Sequence, residues 1–163
     1  MMENINKQLG EILEEDGLDE KKDYKIYETP AFTEFLSEAG EEKAKVFLDL
    51  MGERDLQLFV LHAGYRNGAR FIFHAGPNES WGFINNLEPE RMADKIIEAG
   101  KIIKGKLDFA TDAGEFVYLF GPEGAAELMN LFGAEKIKEH LSKIVFMKKN
   151  GSSVEQIEGL LNN

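Results

Sequence analysis

The sequence predicts a mainly α-helical fold, a single compact domain of about seven helices over residues 1–163. Three observations predict it. Apolar residues recur at helical spacing along most of the chain. Glycine and proline fall singly between those runs, where helices stop and restart. Connections come out short, with no Pro/Gly/Ser-rich stretch to mark a domain boundary. At 163 residues, 43% hydrophobic and 30% charged, the chain is long enough to bury its own core and too apolar for wholesale disorder.

Ile5, Leu9, Ile12 and Leu13 give residues 2–15 an amphipathic helix with Glu11, Glu14 and Glu15 on its polar face and Gly17 as its stop. Leu18 to Glu28 reads as a charged connection. Pro30 starts a helix carrying Phe32, Phe35 and Leu36, which pauses at Gly40 and resumes through Val46, Phe47, Leu50 and Met51 as far as Gly52. Two consecutive helices or one interrupted helix both satisfy this pattern. Glu34, Glu38, Glu41, Glu42 and Lys45 form the polar face.

Residues 54–76 support two readings. As a helix, Leu58, Leu61, Tyr65, Ala69 and Ile72 form one stripe, against a cost of roughly 1 kcal/mol for each of Gly64 and Gly68. The alternative is an α+β fold, with a hairpin over 56–74 turning at Asn67-Gly68 and a short strand at 115–120 (EFVYLF). Helix is the reading adopted.

Asn78 to Gly82 reads as a loop. Pro89 then opens a helix that buries Met92, Ile96, Ile97 and Ile103 and carries Lys101, Lys104 and Lys106 in its last turns. Gly121-Pro122 restarts helix for Leu128, Met129, Leu131 and Phe132, and Gly133 closes it. Ile137, Leu141, Ile144 and Val145 mark another, ended at Asn150-Gly151. Ser152-x-x-Glu155 has the form of a capping box for a last helix with Val154, Ile157, Leu160 and Leu161. No internal repeat emerges from this element-by-element reading.

Nineteen basic and thirty acidic side chains give a net charge of −11, which opposes direct binding to a nucleic-acid backbone. Residues 1–55 hold sixteen acids and seven bases, and residues 56–163 hold fourteen and twelve. An acidic N-terminal part, 1–55, is therefore expected to pack on a nearly neutral remainder, 56–163. The absence of cysteine excludes disulfides, thiolate metal sites and a cysteine nucleophile. The sequence shows no secretory signal and no apolar run of the roughly 18 residues a bilayer requires. A cytoplasmic protein without membrane contact is the expectation.

Catalytic and metal motifs are weak. His62, His74 and His140 lack HExxH spacing, so no metal and no cofactor are expected. Gly100 to Lys106 has the GxxxxGK skeleton of a phosphate loop, but Leu107 stands where Ser or Thr holds magnesium, and the segment reads as a helix end. Asp108, Asp112 and Glu115 read as loop charge without EF-hand spacing. No GxSxG occurs, and no catalytic residue is nominated.

One pattern is sharper. If 54–76 is one helix, His62, Arg66, Arg70 and His74 recur every four residues as a cationic stripe. Such a stripe suits a phosphate or carboxylate ligand, an acidic partner, or the chain's own acidic helices. The expected role is a non-catalytic acidic protein-interaction or regulatory module, an inhibitor that occupies a basic site on another protein, such as a nucleic-acid-binding one. Glu11, Glu14, Glu15, Glu34, Glu38, Glu41 and Glu42 would face that partner, since spaced carboxylates imitate a phosphate backbone. The alternatives are a binder of a small anionic ligand through the stripe and an enzyme of unidentified class. Exposed aromatics among the twelve phenylalanines would favour a homo-oligomer.

Overall fold

A single glycine separates each of the first helices from the next, so that one residue both closes a helix and opens its successor. The computed structural model describes residues 30–163. The helix read over 2–15, with Glu11, Glu14 and Glu15, and the connection at 18–28 lie outside the described residues. Those described form ten α-helices and no strand, more helices than the seven expected. They are α1 (Pro30–Ala39), α2 (Glu41–Met51), α3 (Glu53–Ala63), α4 (Tyr65–Ala75), α5 (Pro77–Asn85), α6 (Met92–Ile103), α7 (Leu107–Phe120), α8 (Pro122–Phe132), α9 (Ala134–Lys149) and α10 (Val154–Leu161).

The glycine links are Gly40, Gly52, Gly64 and Gly76, spaced twelve residues apart, and later Gly121 and Gly133. Gly64, at φ 93° and ψ 149°, shows why glycine is required. That region is closed to side chains, and a non-glycine residue there costs of order 1–3 kcal/mol. The Gly64 N–H donates to the Val60 carbonyl at 2.9 Å, while its own carbonyl accepts from the Gly68 N–H at 2.8 Å. The chain thus changes direction at one residue whose own N–H and carbonyl both keep helical partners.

The helices differ from four expectations. The region 54–76 is two helices, α3 and α4, and Asn67-Gly68 lies inside α4, not at a hairpin turn. The supposed strand 115–120 is the end of α7, and the supposed loop Asn78 to Gly82 is α5. A repeat exists: Phe35, Phe47, Phe59, Phe71 and Phe83 recur every twelve residues in step with the glycines, and all five are fully buried.

From α1 to α8 each helix packs chiefly against one three places away along the chain, α1 beside α4, α2 beside α5, α3 beside α6, α4 beside α7 and α5 beside α8, whereas α9 lies more on α7 than on α6. Three helices therefore complete one turn of a superhelix, and stacked helices run parallel. Glu34 and Glu38 of α1 meet Arg66 and Arg70 of α4 in the same order. The repeated phenylalanine sits mid-helix and points to the winding axis. The rings form a continuous column, with centroids 5.3 Å apart for Phe47–Phe59, 6.4 Å for Phe59–Phe71, 6.1 Å for Phe71–Phe83 and 6.4 Å for Phe83–Phe116. Tilted and edge-on rings at these separations are the favourable aromatic geometries.

The strict repeat ends after α5, where Glu88 stands in place of the next glycine. The loop that follows is pinned by Lys95, whose Nζ donates to the carbonyls of Asn85 and Leu87, and by Asn130, whose Oδ1 accepts from the Glu88 N–H at 2.8 Å. Pro89 consequently lies in this loop, and its helix begins at Met92. At the C-terminal end α9 packs on α7, and α10 on α9. The capping box of α10 uses Ser153 and Gln156, one residue later than Ser152 and Glu155.

Candidate functional site

The break at Gly64 divides the expected cationic stripe. His62 belongs to α3, while Arg66, Arg70 and His74 lie on α4. Arg70 is engaged within the fold: its Nη2 donates to Glu38 Oε1 at 2.7 Å, its Nε to the same oxygen at 3.1 Å, and its Nη1 to Thr111 Oγ1 at 3.3 Å. This fork joins α1, α4 and α7 in a partly buried setting, where charge-assisted bonds are strong. Arg66 meets Glu34 more loosely, at 3.8 Å.

His62 and His74 occupy the same place in consecutive twelve-residue units, and each packs on a glycine of the helix stacked above. A Cβ on Gly100 would lie 3.1 Å from His62 Cβ, and one on Gly114 would lie 2.7 Å from His74 Cβ. These close approaches bring the backbones of the paired helices together beside both histidines. Burial lowers the pKa of His62, and Lys104 lowers it further. Burial is also the main cause of the lowered pKa of His74, where Glu115 opposes the shift and Arg70, Lys43 and Lys149 add to it.

The acidic residues divide likewise. Glu34 and Glu38 face α4, so they are turned toward the chain itself. Among the described residues Glu41 pairs with Lys45 alone, one turn away at 3.2 Å on the open surface of α2. Glu42 and Asp49 project from the same helix with no ion pair among the described residues.

Asp108, Asp112 and Glu115 lie on α7, not in a loop. The Lys149 ammonium contacts the Glu115 carboxylate. Asp112 is held above the ordinary aspartate range by burial and by the like charges of Glu115 and Asp108, with Lys149 opposing. The GxxxxGK segment is also rearranged. Gly100 is inside α6, and Gly105 and Lys106 lead into α7, so the segment ends at a helix start after all. Its carbonyls are taken by the fold: Asn67 Nδ2 donates to those of Ile103 and Gly105 at 2.8 and 3.0 Å, and Lys138 Nζ to that of Lys104 at 3.0 Å. No group of three or more metal-ligating side chains is assembled among the described residues. No described helix is long and apolar enough to cross a membrane.

The feature that sequence reasoning missed is a set of exposed aromatics, one in the last turn of each of three neighbouring helices: Phe73 on α4, Tyr118 on α7 and Phe146 on α9. The three helices are parallel. Arg70 meets Thr111 and His74 meets Gly114 between α4 and α7, while Lys138 sits over Phe109 and Lys149 reaches Glu115 between α7 and α9. The available signal was position on the helix: Tyr118 and Phe146 fall off the stripes formed by Ala113, Phe116 and Val117 and by Leu141, Ile144 and Val145. Reading EFVYLF as a strand hid it.

Comparison with known proteins returns nothing: no family model matches the chain, and no curated protein or solved structure matches it.

Proposed function

We propose that the chain is a non-catalytic protein-interaction module whose acidic outer surface occupies a basic site on a partner protein. The observation that carries this reading is the division of labour within the repeat. In each unit the phenylalanine and its apolar neighbours go to the winding axis, and the outward positions are left free for recognition, as in other stacked-repeat architectures. On α2, Ala44, Phe47 and Met51 are buried while Glu41, Glu42 and Asp49 face outward, with Lys45 as their one ion-pair partner among the described residues. A net charge of −11 also steers the chain toward cationic surfaces over the range of the Debye length. The anionic-ligand alternative is not the one proposed, because Arg70 is bound by Glu38 and Thr111.

The test is capture of host protein by the full chain and by the triple variant Glu41→Lys, Glu42→Lys, Asp49→Lys, with helicity checked by circular dichroism. A partner retained by the native chain in a salt-sensitive way and lost by the folded variant supports the reading. Equal retention by the charge-reversed chain contradicts it.

A further inference from the structure

We infer that the lysine patch where α6 gives way to α7 is a docking surface, and that its occupant is this chain's own acidic stretch, residues 11–20. Three segments build the patch. Lys101 lies in the last turn of α6, Lys104 and Lys106 in the link to α7, and Lys136 and Lys138 in the first turns of α9, which packs on both helices. Side chains hold the link in place: Asn67 Nδ2 donates to the carbonyls of Ile103 and Gly105, and Lys138 Nζ to that of Lys104.

Most of this charge is uncompensated. Lys101 pairs with Glu98 at 2.9 Å. Asp108 on α7 and Glu135 and Glu139 on α9 are near in sequence, yet among the described residues no carboxylate comes within ion-pair distance of Lys104, Lys106, Lys136 or Lys138. Lys138 Nζ lies instead over the Phe109 ring, 4.7 Å from its centroid. Burial lowers the pKa of Lys138, and Lys104 lowers it further, as it does for His62. A positive field therefore spans the link, and Lys106 stands directly before α7, whose positive end adds to it.

Charge and reach select the occupant. Residues 11–20 hold Glu11, Glu14, Glu15, Asp16, Asp19 and Glu20 and no basic residue, the most negative ten-residue run in the chain. The lysines lie on the edge at which α1 begins. Glu34 meets Arg66, Glu38 meets Arg70, and Arg70 meets Thr111, so α1, α4 and α7 are stacked in parallel, with Pro30 and Lys106 on one edge two helix layers apart. Two layers are about 16–20 Å. Residues 21–29 can extend to about 30 Å, so the acidic run reaches the lysines with length to spare. A tether this short gives an effective concentration of order millimolar, at which a contact too weak to hold a separate peptide is still occupied. The acids of α2 take no part, so the inference does not rest on the partner reading.

The chain has no cysteine, so a nitroxide on Gly17→Cys labels the full chain at one place. Paramagnetic relaxation of the backbone amide protons then reads which residues it approaches. The inference predicts an enhancement centred on residues 101–106 and 136–138. Lys104→Glu with Lys106→Glu should lower it at least threefold at Gly105 and Lys138 while circular dichroism is unchanged, and Lys104→Arg with Lys106→Arg should retain it. Salt at about 1 M, where the Debye length is about 3 Å, should also remove it. Lys45→Glu with Lys143→Glu changes the net charge equally, away from the link, and should leave it intact. An enhancement centred elsewhere overturns the inference, as does one that survives reversal of Lys104 and Lys106 or falls equally in the control. Native nitrogen-15 chain mixed with unenriched spin-labelled chain should show none; an enhancement there makes the occupant another copy and also overturns it. The triple Lys variant of α2 should keep the enhancement, which separates failure of this inference from failure of the partner reading.

Discussion

His62 and His74 show how a repeated sequence position acquires chemistry from its neighbours. Each is packed on a glycine of the helix above and is lowered in pKa mainly by that burial. A histidine whose folded pKa lies below its unfolded value, about 6.5, binds protons more readily when unfolded. Its contribution to stability is complete above that value and is lost as pH falls through the window between the unfolded and folded pKa. Asp112, raised in the fold mainly by burial, acts in the opposite sense. Between pH 7 and pH 5 the midpoint of urea unfolding is therefore expected to fall, and His62→Gln with His74→Gln should flatten that slope. An unchanged slope in the double variant would show that these rings do not couple protons to folding. The residues themselves were legible as a pattern of four-residue steps; their assignment to two different helices was not, because the step also fits an unbroken helix.

At the scale of elements, the twelve-residue unit explains both what the sequence reading found and what it missed. Apolar spacing identifies helix correctly over 30–52, 54–76 and 122–161, because amphipathic periodicity is local. The glycine links escape it because a single glycine inside a periodic run reads as a weak point in one helix, not as the join of two. The repeat was present in Phe35, Phe47, Phe59, Phe71 and Phe83 and in Gly40, Gly52, Gly64 and Gly76, but it is shorter than the 20 to 50 residues at which stacked repeats usually recur. Glycine has a second use here, at the crossing of α4 and α7. A Cβ on Gly114 would lie 2.7 Å from His74 Cβ and 2.9 Å from the Phe71 carbonyl oxygen. Gly114→Ala is therefore expected to destabilise by about 1–3 kcal/mol through overpacking. Gly159 in α10, where a Cβ meets nothing within 4 Å, is the control: Gly159→Ala should be neutral or stabilise by up to about 1 kcal/mol. Urea midpoints at unchanged slope read both. Equal effects at the two positions would contradict the close helix crossing.

For the molecule as a whole, the acidic charge and the winding separate into outside and inside. The sequence shows the charge asymmetry directly, and the structure shows that part of it is spent internally, Glu34 and Glu38 on α4, with Glu41, Glu42 and Asp49 left to solvent. The aromatic column is the feature that tests this arrangement, since its rings join the consecutive helices α2, α3, α4 and α5 along the core and then reach α7. Phe83 and Phe116 are thirty-three residues apart and their rings lie 6.4 Å apart between centroids. Nuclear Overhauser spectroscopy on the full chain with carbon-13-labelled phenylalanine tests this most directly. The winding predicts ring-to-ring cross-peaks running Phe47–Phe59–Phe71–Phe83–Phe116; a spectrum in which Phe83 and Phe116 share no cross-peak contradicts it.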